Sequence, residues 1–362
     1  MLELDKQNIS KVCIHRSTYE KLDIDPLLQP LGGIKNYVCK GERVLLKVNL
    51  LNATQPDKAV VTNPDLVKKV AELVIKAGGI PFIADSPSGQ FTKGRLKRVY
   101  NKSGLQKISN ELGIELNYNV KTTKTQIPFG KKLKETPVCD YIKNADKIIA
   151  LPKIKTHSYM IMTLAVKHMF GIIPGLTKAK YHSLYLRRDS FANMLIDVYS
   201  IAPPDLIIMD GIIGMQGEGP SGGSPVNLGI TLASTSAVAL DISICNILNI
   251  EPVGIPVLKQ AKIRGLWPKE IQYPLLKPQE VTYHQFILPS TANYLLTGKK
   301  PPSKSPVVTS RCTSCRMCQE ICPKQAITNT PTGAKINYLK CIRCYCCHEI
   351  CPEKAIELKI LK

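Results

Sequence analysis

The chain is poor in aromatic and acidic residues. Its 362 residues are only 6% aromatic, with a single tryptophan, Trp267, and its 28 Asp and Glu face 49 Lys and Arg for a formal charge of +21. No apolar run approaches the roughly 20 residues that cross a bilayer, so no membrane span is expected. The start, Met1-Leu-Glu-Leu-Asp-Lys6, lacks the basic, then apolar, then small-residue order of a secretory signal, and a cytoplasmic protein is the expectation. No G-x4-G-K-[ST] run occurs, and no glycine fingerprint opens a helix-like segment. A P-loop and a nicotinamide or flavin fold therefore find no support in the motifs.

Thirteen cysteines are present, and eight obey one spacing twice. Cys312, Cys315, Cys318 and Cys322 read C-x2-C-x2-C-x3-C-P, and so do Cys341, Cys344, Cys347 and Cys351. Such runs ligate a pair of [4Fe–4S] clusters, the fourth cysteine of each run serving the other cluster. Cys312, Cys315, Cys318 and Cys351 are thereby assigned to one cluster, and Cys341, Cys344, Cys347 and Cys322 to the other. Zinc is the alternative, but it uses four ligands in two C-x2-C pairs, which leaves the third cysteine of each triplet and the duplication unexplained. Cys346 stands where the first run has Met317 and reads as a soft packing residue. Cys13, Cys39, Cys139 and Cys245 are scattered and read as free thiols.

A 29-residue shift superposes the two runs and also Glu320 on Glu349, Ile321 on Ile350, Ala326 on Ala355 and Ile327 on Ile356. Two half-domains related by a pseudo-twofold axis are implied, each needing the other for a core. A Pro/Lys/Ser stretch, residues 297–306, reads as the linker to this unit, residues 307–362. Residues 1–296 alternate strand-like and helix-like segments. Arg43–Leu50, Ile80–Ala84, Lys147–Leu151 and Leu206–Met209 are the strands; Pro64–Ala77, Leu96–Leu112 and Ser236–Leu248 are the helices. This rhythm predicts an α/β fold, in one or two lobes, with a mostly parallel sheet and flanking helices. A small α+β domain follows it. Ligands of parallel sheets gather at the strands' carboxyl ends, here after Leu50, Ala84, Leu151 and Met209.

Lys153, Lys155, His157, Lys167 and His168 follow one such strand, and His182 comes soon after. They read either as surface decoration of a loop or, preferably, as a cationic pocket for a small anionic ligand such as a carboxylate or phosphate. Lys47 and Asn49 end the first strand and point to the same edge. The run Asp210–Gly223 is glycine-rich, and backbone N–H groups about Gly217 and Gly219 could wrap an anion. The lysine runs at 93–107, 121–134 and 299–304 contain no stacking aromatics. They read first as solvated surface, next as a face for an acidic redox carrier of the ferredoxin or flavodoxin type, and last as a nucleic-acid surface.

The last ~55 residues resemble bacterial two-cluster ferredoxins, a likeness that implies low-potential, one-electron transfer. Leu45-Leu-Lys-Val-Asn49, the PKIKTH…LAVKHMFG stretch of residues 152–171 and Gly214-Met-Gln-Gly-Glu-Gly-Pro220 resemble the family catalogued as domain of unknown function 362. That family is generally described as iron–sulfur proteins, often fused to such a ferredoxin. His168 departs from it, since members commonly carry asparagine there. A more distant likeness joins Thr156-His157, Lys167, Ile173-Pro-Gly175 and His182 to nickel-pincer lactate racemases. It implies an acid/base role for His157, a cofactor contact for Lys167 and a nickel ligand in His182. The opposing loop, Asp85-Ser-Pro-Ser-Gly89, lacks the histidine a second base would need. The expected function is therefore an iron–sulfur protein passing electrons to or from an anionic-ligand site, as a ferredoxin-linked oxidoreductase if it is an enzyme. A racemase-like or ligand-binding protein with structural clusters is the alternative, and nickel the less favoured metal.

Overall fold

A computed structural model describes residues 9–292 and 304–360. Its centre is a nine-stranded sheet. The strands are β1 (Cys13–Arg16), β2 (Arg43–Lys47), β3 (Ile80–Ala84), β4 (Glu115–Leu116), β5 (Lys147–Ala150), β6 (Lys153–His157), β7 (Ile161–Thr163), β8 (Leu206–Gln216) and β9 (Ser224–Ser234). Strands β4, β3, β2, β5, β8 and β6 are joined by parallel pairing. At the other end β7 turns back on β6, and β9 on β8 with β1 beyond it, all antiparallel. Strand β2 shows why parallel pairing suits this sequence. Leu45 packs into the core on one face of the sheet, while Val44 and Leu46 pack on the other. Strands covered on both faces carry continuous apolar runs.

The helices follow their sequence signals. Helix α1 (Pro64–Lys76) has Pro64 in its first turn, and the Asn63 side chain caps it by accepting from the Asp65 N–H at 2.8 Å. The predicted helix Leu96–Leu112 is two, α2 (Lys93–Lys102) and α3 (Leu105–Leu112), broken where Gly104 adopts φ 81°. The predicted Leu206–Met209 strand runs on to Gln216, taking in the start of the glycine-rich run. Two glycines sit there as strand residues because a side chain has no room: a Cβ on Gly211 would meet Ile154 Cδ1 at 2.6 Å.

Residues 297–303 of the predicted linker lie outside the described residues, and Lys304–Pro306 already belong to strand β10 (Lys304–Val308). β10 pairs with β13 (Ile356–Ile360), and β11 (Ile327–Thr330) with β12 (Gly333–Ile336), both antiparallel. Two short helices, α4 (Met317–Ile321) and α5 (Cys346–Ile350), carry the repeat. The backbone repeats as faithfully as the cysteines. Non-glycine residues with positive φ come in pairs 29 apart: Ser314 and Arg343, both 54°; Arg316 and Tyr345, 66° and 65°; Gln325 and Lys354, 48° and 49°. Such angles are uncommon outside glycine, so their recurrence marks two copies of one loop.

Candidate functional site: a lysine cavity closed by the cysteine module

The eight cysteines gather into two sets. Cys312, Cys315, Cys318 and Cys351 line one cavity with Ala355 and Ile356. Cys322, Cys341, Cys344 and Cys347 line another with Ala326, Ile327 and Ile336. Each set takes three cysteines from one run and the fourth from the other. Backbone N–H groups point at three of the sulfurs: Ala326 to Cys322 at 3.2 Å, Ala355 to Cys351 at 3.3 Å, and Ala334 to Cys312 at 3.4 Å. Among the described residues no group of three or more His, Cys, Asp or Glu is arranged to hold a single metal ion. A cubane differs, because each thiolate binds a separate iron corner. Four soft donors facing an apolar space, some already accepting N–H bonds, suit a [4Fe–4S] cluster.

At the carboxyl ends of β2, β3 and β6 lies a cavity of about 80 Å³. Asn49, Asp85, Ser86, Lys155, His157, Lys167, His168, Lys178 and His182 line it. Three sequence signals converge there: the residues after β2, those after β3, and the 153–182 segment. Lys47 stands behind the wall, fully buried, its Nζ 3.1 Å from Asp85 Oδ1. Asp85 Oδ2 accepts from the Leu50 N–H at 2.6 Å, tying β3 to the loop after β2. Gly171 makes this approach feasible: a Cβ there would lie 2.0 Å from Asp85 Oδ1 and 2.5 Å from Lys47 Nζ.

Burial favours the neutral form of the three histidines, and bonds fix the tautomers of His157 and His168. His157 Nδ1 accepts from the Tyr159 and Met160 N–H groups at 3.1 and 3.3 Å, so its proton is on Nε2. The tight turn this requires holds Ile161 at φ 68°, a strained value for a β-branched residue. His168 Nε2 donates to the Lys47 carbonyl at 3.0 Å. Burial holds His157 and His168 well below the usual histidine range and pushes His182 down to about 3, with Lys167 adding to the effect on His157 and His182.

The lysines carry the cavity's chemistry. Burial, with Lys167 nearby, pushes Lys155 down to about 7, and its Nζ donates to the Val60 carbonyl at 2.9 Å. Burial pushes Lys167 and Lys178 down to about 8, against the opposing pull of Glu349 on the first and Asp85 on the second. Both keep part of their surface open to the cavity. Lys178 Nζ donates to the Ser86 carbonyl. Lys167 and His168 sit on the short helix Ala165–His168, whose first N–H groups, Ala165 and Val166, donate to Asp241 at 2.7 and 3.1 Å. That fully desolvated carboxylate is itself pushed up to about 7 by burial. Among the described residues several buried polar atoms of the wall have no hydrogen-bond partner: Asn49 Oδ1, Ser86 Oγ, Thr163 Oγ1 and His182 Nδ1. Leaving such groups unpaired is costly, and a polar group entering the cavity would relieve that cost.

The remaining wall comes from the cysteine module: Ile321, Cys346 and Glu349. Glu349 Oε1 lies 3.4 Å from His157 Nε2. Its backbone carbonyl accepts from Ser221 Oγ at 2.7 Å, and Lys354 Nζ donates to the Gly223 carbonyl at 3.0 Å.

Two predicted ligand contacts are placed elsewhere. Lys153 is buried but paired with Asp210 Oδ2 at 2.8 Å and Tyr19 Oη at 2.9 Å, away from the cavity lining, because β6 and β8 set Lys153 beside Asp210. The N–H groups of Gly217 and Gly219 are engaged within the fold. Gly217 N–H donates to the Ile287 carbonyl at 2.7 Å and Gly219 N–H to the Gly217 carbonyl at 2.9 Å, while Gly219 packs against Thr156; only Pro220 reaches the cavity. Lys178 and Asp241 were not singled out by the sequence, and Asp85, Cys346 and Glu349 were named there without a place in the cavity. Two had a usable signal: Asp85 ends a predicted strand, and Lys178 lies one helical turn before His182.

A model described as a 4Fe-4S binding domain matches residues 306–328. The chain therefore carries an iron–sulfur binding domain. The apoprotein of lactate racemase from Thermoanaerobacterium thermosaccharolyticum is 14% identical, over 64% of this chain and 55% of that one, with a TM-score of 0.38. A protein from Thermotoga maritima is 14% identical, over 61% of this chain and 56% of that one, at 0.34. The chain thus spans little more than half the length of either structure. A thylakoid-associated protein of Synechocystis sp. (strain ATCC 27184 / PCC 6803 / Kazusa) is 35% identical over 273 residues, 73% of this chain and 81% of that protein. Among the described residues no helix is long and apolar enough to cross a membrane. With residues 44–246 matching the domain of unknown function DUF362 as well, the chain belongs to the DUF362 family.

Proposed function

We propose that this chain binds two [4Fe–4S] clusters and exchanges low-potential single electrons with a small anionic ligand in the lysine cavity. When bound, such clusters supply one-electron transfer. The observation that carries the reading is the shared wall: Lys155, Lys167 and His157 face Cys346 and Glu349 of the cysteine module across one small cavity. Lys155, Lys167 and Lys178 attract and orient the anion, and desolvation strengthens that attraction. His157 Nε2–H and the open His182 Nδ1 can donate and accept a proton at the ligand. The external partner is an acidic one-electron carrier of the ferredoxin or flavodoxin type, drawn by the positive charge. For each electron passed inward the carrier is oxidised by one equivalent and the anionic acceptor reduced by one.

Anaerobic reconstitution with iron and sulfide, followed by reduction and electron paramagnetic resonance, tests the reading. Two interacting cubane signals are expected, together with sulfate binding that weakens in Lys155→Met. A reconstituted chain without inorganic sulfide would end it.

A racemase-like, non-redox ligand site is the second reading, favoured by the neutral His157 and His182 beside Lys167 in one cavity. It predicts nickel beyond the iron content, lost in His182→Ala. Iron alone would reject the nickel version.

A further inference from the structure

Cys346 breaks the symmetry of the tail. The 29-residue shift that superposes ligands, packing residues and backbone angles puts Met317 in its place in the first half. Cys346 is 4% exposed and belongs to two cavities at once. It lines the lysine cavity beside Glu349 and Ile321, and it lines the space enclosed by Cys322, Cys341, Cys344 and Cys347. Its thiol lies beside Cys344 in the lining on one side, and within the field of Lys167 on the other. None of the eight motif cysteines lines the lysine cavity itself, and the space of Cys312, Cys315, Cys318 and Cys351 shares no lining residue with it. That second set instead contains Cys315, the one motif cysteine among the described residues that is exposed.

Resting on the electron-exchange reading above, we propose that the two cysteine sets divide the work. The set of Cys322, Cys341, Cys344 and Cys347 is the inner site, coupled to the lysine cavity across the Cys346 thiol. The set containing Cys315 is the outer site, which meets the external carrier. The argument is electrostatic. Each reduction adds one negative charge to a site, and an ammonium close by in a desolvated setting stabilises that charge far more than one beyond a second set of ligands. Among the described residues Cys346 is the only side chain shared by both spaces, and its soft, buried sulfur stands between them. It is a positioning residue, acting through the inner site.

The test is a redox titration at pH 7, followed by paramagnetic resonance, of the reconstituted full chain and of Lys167→Met, Cys346→Met and Cys315→Ala. Lys167→Met removes a positive charge and should shift one cluster to lower potential while leaving the other in place. Cys346→Met installs the residue of the other half and should alter the signal of the same cluster. Cys315→Ala should abolish or convert the cluster that did not shift. Equal shifts of both clusters, no shift, or a shift in the cluster that depends on Cys315 would overturn the assignment. Lys167 lies outside both cysteine sets, so its variant answers the question even if Cys346→Met loses iron. A wild-type chain that takes up no cluster would instead overturn the electron-exchange reading itself.

Discussion

The tail and the larger domain each surround a charged centre with protein, by opposite routes. In the tail every ligand lies between Cys312 and Cys351, on two copies of one short loop, and the space they face is apolar. In the α/β domain the cavity draws on residues from Asn49 to His182 and takes its last wall from Glu349 and Cys346. The lysines there are desolvated and only partly balanced by Asp85 and Glu349. A metal core compensates the charge of a thiolate set; an anion would compensate that of a buried lysine set. The first is therefore suited to a resident group, the second to a guest that comes and goes.

Breaking each region should expose this difference. In the tail the damage should be modular: Cys347→Ala is expected to remove the inner cluster and lower bound iron by about half, as read by iron and sulfide analysis. In the α/β domain the damage should spread through the fold. Asp210→Ala leaves Lys153 buried without its carboxylate and should cost about 3–5 kcal/mol in a denaturant titration. The guest's dependence on charge can be sharpened by pH. Lys155 titrates at about 7 in the free protein, and Lys167 and Lys178 at about 8. A bound anion favours their protonated forms, so above these values binding must take up protons. Affinity for sulfate, which does not itself titrate here, should be full below pH 7 and fall about tenfold per pH unit for each proton taken up as pH rises toward 9. Calorimetry measures this; an affinity flat from pH 6 to 9 would remove the lysines from the site. The smallest effect lies away from both centres. Asn63→Ala, which removes the α1 cap, should cost about 1 kcal/mol in thermal unfolding and leave iron content unchanged.

Legibility follows the same divide. The parallel core, the strand Ile80–Ala84 and the start of α1 at Pro64 were readable, because strand runs, turn residues and caps are local signals. The α2–α3 break at Gly104 and the extension of β8 to Gln216 were not, since both are settled by what packs against them. Within the cavity, Asn49, Lys155, His157, Lys167, His168 and His182 were singled out, yet Lys153 was grouped with them and Lys178 was overlooked. Lys153 and Lys155 stand two apart on β6, where strand alternation gives both the same face, so the local pattern could not separate them; the pairing of Lys153 with Asp210 on β8 does.

By itself the sequence determined the cysteine spacing, its duplication and the basic character of the segment from Lys153 to His182. Those are properties of order along the chain, and short loops carry them into space almost unchanged. The tertiary structure alone decided that Cys346 and Glu349 close the lysine cavity, that Asp85 and Asp241 brace it, and that Lys153 turns away to Asp210. Such contacts join residues far apart in the chain, and their geometry depends on how sheet and module pack together.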